Sequence, residues 1–407
     1  MTECFPDGTR IDRWFYERET PAVQALGKRY CVTDYGVADD GGVHTTALQR
    51  LIDEIAASGG GVLTVPAGVY RTGALFFRPG VHLRVEAGGT LLGSDDIADY
   101  PVVDTRIEGE SCRYFAALIN ADRCDGFTML GPGAIDGNGM RAWRAFWLRR
   151  SWNPKCTNKD EQRPRLVYIS NSENVTVDGL TLRNSPFWTN HLYRCRHARF
   201  MHCRVTSPTQ EMRAPSTDAL DLDVCSDVLV WDCHMSVDDD AVVIKGGKGP
   251  WADQQPENGG SERVLVEDCV FDHSSSCLTV GSEAIYCRNV LLRRARCAGV
   301  HNVLRLKLRP DTPQHYQYVA VEDVSGTADI FFRMDTWMQF FDLKGRQGLP
   351  PTAVDHVAMR RCRVDCDTRY EVSEPLEDCD ISEIVFEEIS GEAKREGSTR
   401  WLKEGKA

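Results

Sequence analysis

Asn174-Val-Thr-Val-Asp-Gly-Leu-Thr-Leu182 is one copy of a phrase that decides the fold. It returns as Ala198-Arg-Phe-Met-His-Cys-Arg-Val205, Asp227-Val-Leu-Val-Trp-Asp-Cys-His-Met235 and Arg263-Val-Leu-Val-Glu-Asp-Cys-Val-Phe271. Later copies begin at Asn289, Tyr318, His356 and Glu383, so successive starts lie 24 to 38 residues apart. Alternation of apolar and other residues marks a strand with one buried face. No single copy is long enough to bury that face alone. Stacked copies build a continuous core, each strand pairing in parallel with the next coil, and the variable intervals become loops. A β-sandwich is the alternative, but the repeated phrase favours a right-handed parallel β-helix. Long helical periodicity is missing between copies, which argues against a doubly wound α/β sheet. Cys195, Cys203, Cys233, Cys269 and Cys297 fall at similar phases, as an internal cysteine ladder would.

The chain begins differently. Thr45 to Ala57 reads as an amphipathic helix with Leu48, Leu51, Ile52 and Ile55 on one face, ended by Gly59-Gly60-Gly61. A helix there would cap the open end of a solenoid. The expected organisation is an ill-defined extension over 1–29, a catalytic β-helix over 30–390 and a charged, fraying tail over 391–407. The insertion Met140 to Asn158 carries Trp143, Trp147 and Trp152 among arginines. Trp143 and Trp147 are four apart, which favours a small packed helix over a sugar platform; the same caution covers Phe331 to Phe341, with Trp337.

Charge narrows the function. Sixty Asp and Glu against 48 Lys and Arg give a net charge of -12, a poor balance for binding nucleic acid or anionic membranes. No apolar run approaches a membrane span. The first residues lack a basic and then apolar leader, which reads as a cytoplasmic protein. Sixteen cysteines without paired CxxC motifs read as reduced, buried fillers, and ten scattered histidines show no metal spacing. No cofactor motif appears: Gly131-Pro-Gly-Ala-Ile-Asp136 fails the dinucleotide pattern, and Walker A, HExxH and GxSxG are absent.

The acids carry the chemistry. Ser216-Thr-Asp218-Ala-Leu-Asp221 is followed by Val237-Asp238-Asp239-Asp240-Ala-Val-Val-Ile-Lys245. Asp218 and Asp239 lie about one coil apart, so Asp218 and Asp240 stack as neighbours at roughly 4.8 Å strand spacing. Asp239 and Asp240 reach one cleft only if the chain bends, because successive strand residues face opposite ways. Close carboxyls resist joint ionisation, which raises one pKa. An acid and a base about 6.5–9.5 Å apart suit an inverting glycosidase. Asp238 reads as a solvated acid of the turn. Arg305 and Lys307, two apart on one strand face, suit a sugar carboxylate by fork and by point charge. Arg333 could extend that row.

Asp34-Tyr-Gly-Val-Ala-Asp-Asp-Gly41 and Gly59-Gly-Gly-Val-Leu-Thr-Val-Pro-Ala-Gly-Val-Tyr70 resemble the N-terminal signature of pectin-active β-helix proteins. The Asp218, Asp239-Asp240, Ser276-Cys277-Leu-Thr-Val-Gly-Ser282 and Arg305-Leu-Lys307 segments resemble, in order and kind, the four motifs of glycoside hydrolase family 28, the polygalacturonases. The resemblance implies that Asp239 is the general acid and that Asp218 and Asp240 position and deprotonate water. Arg305, Lys307, Lys245, Ser276 and His191 would bind substrate, with no metal. His191 enters through Asn184-Ser-Pro-Phe-Trp-Thr-Asn-His191, which resembles a segment of bacterial exo-acting members. Ser276 departs from the family, which has His there; the hydroxyl hydrogen-bonds but carries no charge. The expected substrate is a pectic oligosaccharide, trimmed from one end. The rivals are a glycosidase for another sugar such as a rhamnogalacturonan, a β-eliminating lyase and a non-catalytic carbohydrate-binding solenoid.

Overall fold

A computed structural model describes residues 3–209, 212–373, 379–397 and 402–404. One sheet runs the length of the molecule, from Arg29–Cys31 and Gly61–Val65 through Arg196–Met201, Ser226–Trp231, Gly260–Glu267 and Tyr286–Arg293 to Ile384–Glu387. Every rung in it is parallel, and residues one coil apart meet in register, as in Val228↔Val264 and Val264↔Val290. The remaining solenoid strands stack the same way on the other faces. The chain is a parallel β-helix, right-handed as parallel crossovers are.

The repeated phrase works through the residue at its start, or in the second copy the residue just before it. Asn174, His197, Asp227, Arg263, Asn289, Tyr318, His356 and Glu383 all take left-handed φ values between 51° and 57°. The kink recurs once per coil at one corner, so the coils superpose. Left-handed φ costs a non-glycine residue about 1–2 kcal/mol, a cost the stacked core offsets.

Inward residues such as Val228, Val230, Val264 and Val266 belong to one long core. Their outward neighbours Met201, Leu229, Leu265 and Leu291 are also buried, because Phe5, Ile11 and Phe15 pack on them. Residues 3–29, expected as an ill-defined extension, form a strap across several coils. Arg18 pairs with Glu267, and Arg288 with Asp7. The apolar residues on both faces of the phrase called for such a cover. The tail is likewise not frayed where described: Ala393–Arg395 and Leu402–Glu404 pair with the preceding coil. Residues 398–401 and 405–407 of the expected tail lie outside the described residues.

Helix α1 (Thr45–Ala57) buries Leu48, Leu51, Ile52 and Ile55 over the first coil, as a cap. Helix α2 (Met140–Trp152) packs as the tryptophan spacing implied: Trp143 is buried, and its Nε1 donates to the Ser185 carbonyl at 3.0 Å. The single cysteine ladder does not survive. Cys203, Cys233 and Cys269 form one, each thiol donating to a carbonyl of the coil before. Cys195 belongs with Cys225 on a second corner, and Cys297 sits inside the strand Arg296–Leu308, opposite Phe271. A sequence interval fixes coil number but not the place within the coil that a residue occupies. Among the described residues no helix is long and apolar enough to cross a membrane.

Candidate active site

Five strands make the floor: Asn190–Tyr193, Leu220–Asp223, Asp240–Lys245, Ser276–Val280 and Arg296–Leu308. Alternation aims Asp221 and Asp223 outward while Leu220 and Leu222 enter the core. Register sets Tyr168, His191, Asp221, Val243, Thr279, Arg305 and Arg333 in one row along the axis.

At the head of these strands the expected bend occurs at Asp238–Asp239. The Ala219 amide donates to the Asp240 carbonyl at 3.0 Å, locking the two coils side by side. One oxygen each of Asp218, Asp239 and Asp240 lies within 4.8 Å of the others. The bend turns both Asp239 and Asp240 toward Asp218. Asp238 leaves the cluster and pairs with Arg213 at 3.0 Å; burial holds it up at about 6, so it is not the solvated acid expected.

Two lysines serve the acids. Lys307 Nζ donates to Asp240 Oδ2 at 2.7 Å. Lys245, buried against the Trp188 ring, lies 4.0 Å from Asp218, 3.4 Å from Asp221 and 3.3 Å from Glu283. The result is a division of charge. Burial pushes Asp240 up, but Lys307 and Arg305 outweigh it, and the carboxyl titrates below its usual range. Burial and the adjacent Asp240 raise Asp239. Burial, Asp221 and Asp239 raise Asp218 well above its usual range, and Asp221 itself rises, chiefly by burial, to about 7. The three acids have the donor type and closeness for a divalent cation, yet the lysine ammoniums already balance two of them.

Three expected binding residues sit elsewhere than a sugar can reach. His191 is fully buried. Arg165 lies at 2.6 Å from its Nδ1 and Asp223 at 3.4 Å from its Nε2, and burial pushes it down to about 4. Ser276 is also fully buried, opposite Asp240 in register, and Asn302 Nδ2 donates to its hydroxyl at 3.3 Å. Ser276 therefore lies beneath the acid cluster and does not open a subsite. Lys245 lies beneath the acids. Arg305 and Lys307 do reach the cleft wall, both near the Trp337 ring, but the Arg305 fork is filled by Asp335 at 2.9 Å through both arms. Arg333 joins the row and pairs with Asp335 and Glu371.

Sequence reasoning missed Asp221, Glu283 and Asp335 as members of the site. Asp221 carried a signal, its i+3 spacing from Asp218 with apolar residues between. The other two carried none. It also missed the hairpin Val102–Ile107 and Glu110–Phe115. Arg106 of this hairpin forks onto buried Asp223 at 2.8 and 3.2 Å, and the hairpin roofs His191.

A solenoid with clustered carboxyls over a basic floor defines a carbohydrate-active β-helix. The family model described as "Glycosyl hydrolases family 28" matches residues 63–325, and the chain belongs to that family. It is 28% identical over 278 residues to a probable polygalacturonase of Vitis vinifera, covering 65% of this chain and 54% of the relative. It is 34% identical over 177 residues to an exo-poly-alpha-D-galacturonosidase of Dickeya chrysanthemi, covering 40% and 27%. The chain thus spans about half or less of the length of these relatives. In fold it is similar to an exopolygalacturonase from Thermotoga maritima, with a TM-score of 0.81, 22% identity and coverage of 97% and 93%.

Proposed function

We propose that this protein is a glycoside hydrolase that removes galacturonide-type sugars from the end of pectic oligosaccharides, with inversion. The observation that carries the reading is the clustering of Asp218, Asp239 and Asp240 on two adjacent coils, with Lys307 Nζ 2.7 Å from Asp240. Hydrolysis needs a proton donor and an ionised base at one linkage. Asp239, raised by burial and by Asp240, holds the proton for the leaving oxygen. Asp240, kept ionised by Lys307, is the base that takes the proton from water. Asp218, whose pKa burial, Asp221 and Asp239 raise, stands beside Asp240 and orients the water by hydrogen bonding. The acid protonates the bridging oxygen, water attacks the anomeric carbon, and the proton lost by water passes to Asp240.

Elimination would need a neutral Arg or Lys base. Burial lowers the Lys307 pKa, but Asp240 outweighs it and the ammonium stays charged. The acidic substrate is supported by Lys307 and Arg305 at the cleft wall, although Asp335 shares the Arg305 fork. End attack is supported by the floor row, which runs from Arg333 to Asp221 and then passes under the hairpin at His191. A panel of reduced and unreduced galacturonate oligomers tests the reading. Monomer should be the first product, and shortening from the middle would contradict end attack.

A further inference from the structure

This inference rests on the end-cleaving reading above. We infer that Glu110 is a clasp that fixes the hairpin tip over the cleft and thereby determines cleavage from the end. The hairpin rises from a root where the Ala116 amide bonds the Pro101 carbonyl. Its tip packs against the far wall: a Cβ on Gly109 would stand 2.9 Å from the Gly247 carbonyl carbon and 3.0 Å from Glu283 Cβ. Gly109 also has φ +73°, so this turn suits glycine twice over.

Glu110 binds this tip to three loops. Lys159, from the segment after α2, donates to one carboxylate oxygen at 2.5 Å. Lys344 donates to the other at 3.1 Å, and Lys248 lies 3.5 Å away. Glu108 accepts a hydrogen bond from Asn158 Nδ2 at 2.8 Å. A single exposed ion pair contributes little. One carboxylate that gathers ammoniums from three distant loops is a junction, and the Lys248 side chain in it is only 10% exposed. A cavity of about 210 Å³ lies at the junction, lined by Glu110, Lys159, Lys248, Arg309 and Lys344.

The hairpin separates two spaces over one floor. On its near side stand the acids. On its far side lies a groove of about 520 Å³ lined by Phe76, Asn120, Tyr168 and Tyr193. Tyr168 stands in the same row as Asp221, Thr279 and Arg305. With the tip released, groove and cleft become one channel that a long chain can cross.

The test uses the full chain with Glu110→Gln, which keeps shape and removes charge, and Lys159→Met/Lys344→Met. Trypsin reports closure without any substrate, because Arg106 is 1% exposed in the clasped hairpin. Both variants should be cut at Arg106 on the order of tenfold faster than the parent, since cleavage follows the open population. The parent in about 1 M salt, where charges are screened, should move the same way. On long polygalacturonate, viscosity lost per bond cut should rise in both variants. Unchanged trypsin cleavage overturns the clasp. Faster cleavage with an unchanged viscosity ratio overturns its role in end attack. A raised KM with neither change means that the lysines read substrate instead. If the parent already cuts long chains internally, the end-cleaving reading fails, while the trypsin result still judges the clasp.

Discussion

Replacing Lys307 by Met removes one ammonium from a buried carboxylate and leaves the stem in place. Lys307 Nζ lies 2.7 Å from Asp240 Oδ2. The bare Coulomb attraction at that distance and an effective dielectric near 20 is roughly 6 kcal/mol. Desolvation of the ammonium offsets much of this, and a hydrogen bond to a charged group nets about 1.5–3 kcal/mol. At 1.36 kcal/mol per pH unit, the Asp240 pKa should rise by about 1–2 units. The sign is fixed. Asp240 is the base when ionised, and Lys307 depresses its pKa. Without Lys307 the protonated, inactive form persists to higher pH, so the acid limb of kcat/KM moves up by the same 1–2 units. The alkaline limb, set by Asp239, should move less, and the bell should narrow. The assay is galacturonate release from a trimer across pH, with kcat and KM separated. A uniform loss of rate with an unmoved acid limb would refute the reasoning, because Lys307 would then act on substrate alone.

Asp239→Asn should lower turnover on natural oligosaccharides about 10²–10⁴-fold with an unchanged melting curve, and an aryl galacturonide with a good leaving group should be partly spared. His191 is buried neutral with its pKa down at about 4, so the folded state binds fewer protons there than the unfolded state. Stability should fall as pH drops from about 6.5 to about 4, by about 3 kcal/mol for this group. His191→Gln should remove that part of the pH dependence of denaturant midpoints; identical slopes in both proteins would show that His191 is not buried as described. Chelators should leave the hydrolysis rate unchanged, since Lys307 and Lys245 balance the acid cluster; a chelator-sensitive rate restored by a divalent ion would place a metal among Asp218, Asp239 and Asp240.

The solenoid was legible because its information is local and repeated. Each phrase carries its own alternation and its own left-handed corner, as at Asp227 and Asn289. The cap was legible for the same reason: Leu48, Leu51, Ile52 and Ile55 form one stripe on one helix. The acids were legible from coil spacing, since Asp218 and Asp240 need only be one turn apart. What escaped depends on contacts between distant segments. Arg106 meets Asp223 across 117 residues, and Lys344 meets Glu110 across 234. No local pattern in Val102–Phe115 states which coil the hairpin will cover. Covering is what turned His191 from an expected sugar contact into a buried partner of Asp223 and Arg165. Ser276 misled differently. Its neighbours marked the floor strand correctly, but depth below the cleft depends on what stands above, and there Ser276 is fully covered, opposite Asp240 and bonded by Asn302. The cysteine phases failed because corner and strand positions share one coil length.

The most direct test of the central claim, hydrolysis by an acid–base set on two adjacent coils, is a proton NMR time course on an α-linked galacturonate trimer. The anomeric region at the first minutes reports bond type and stereochemistry together. The account predicts a saturated new reducing end that appears as the β-anomer and only later mutarotates. A vinyl proton from an unsaturated sugar, or a new end that appears first as the α-anomer, would contradict it.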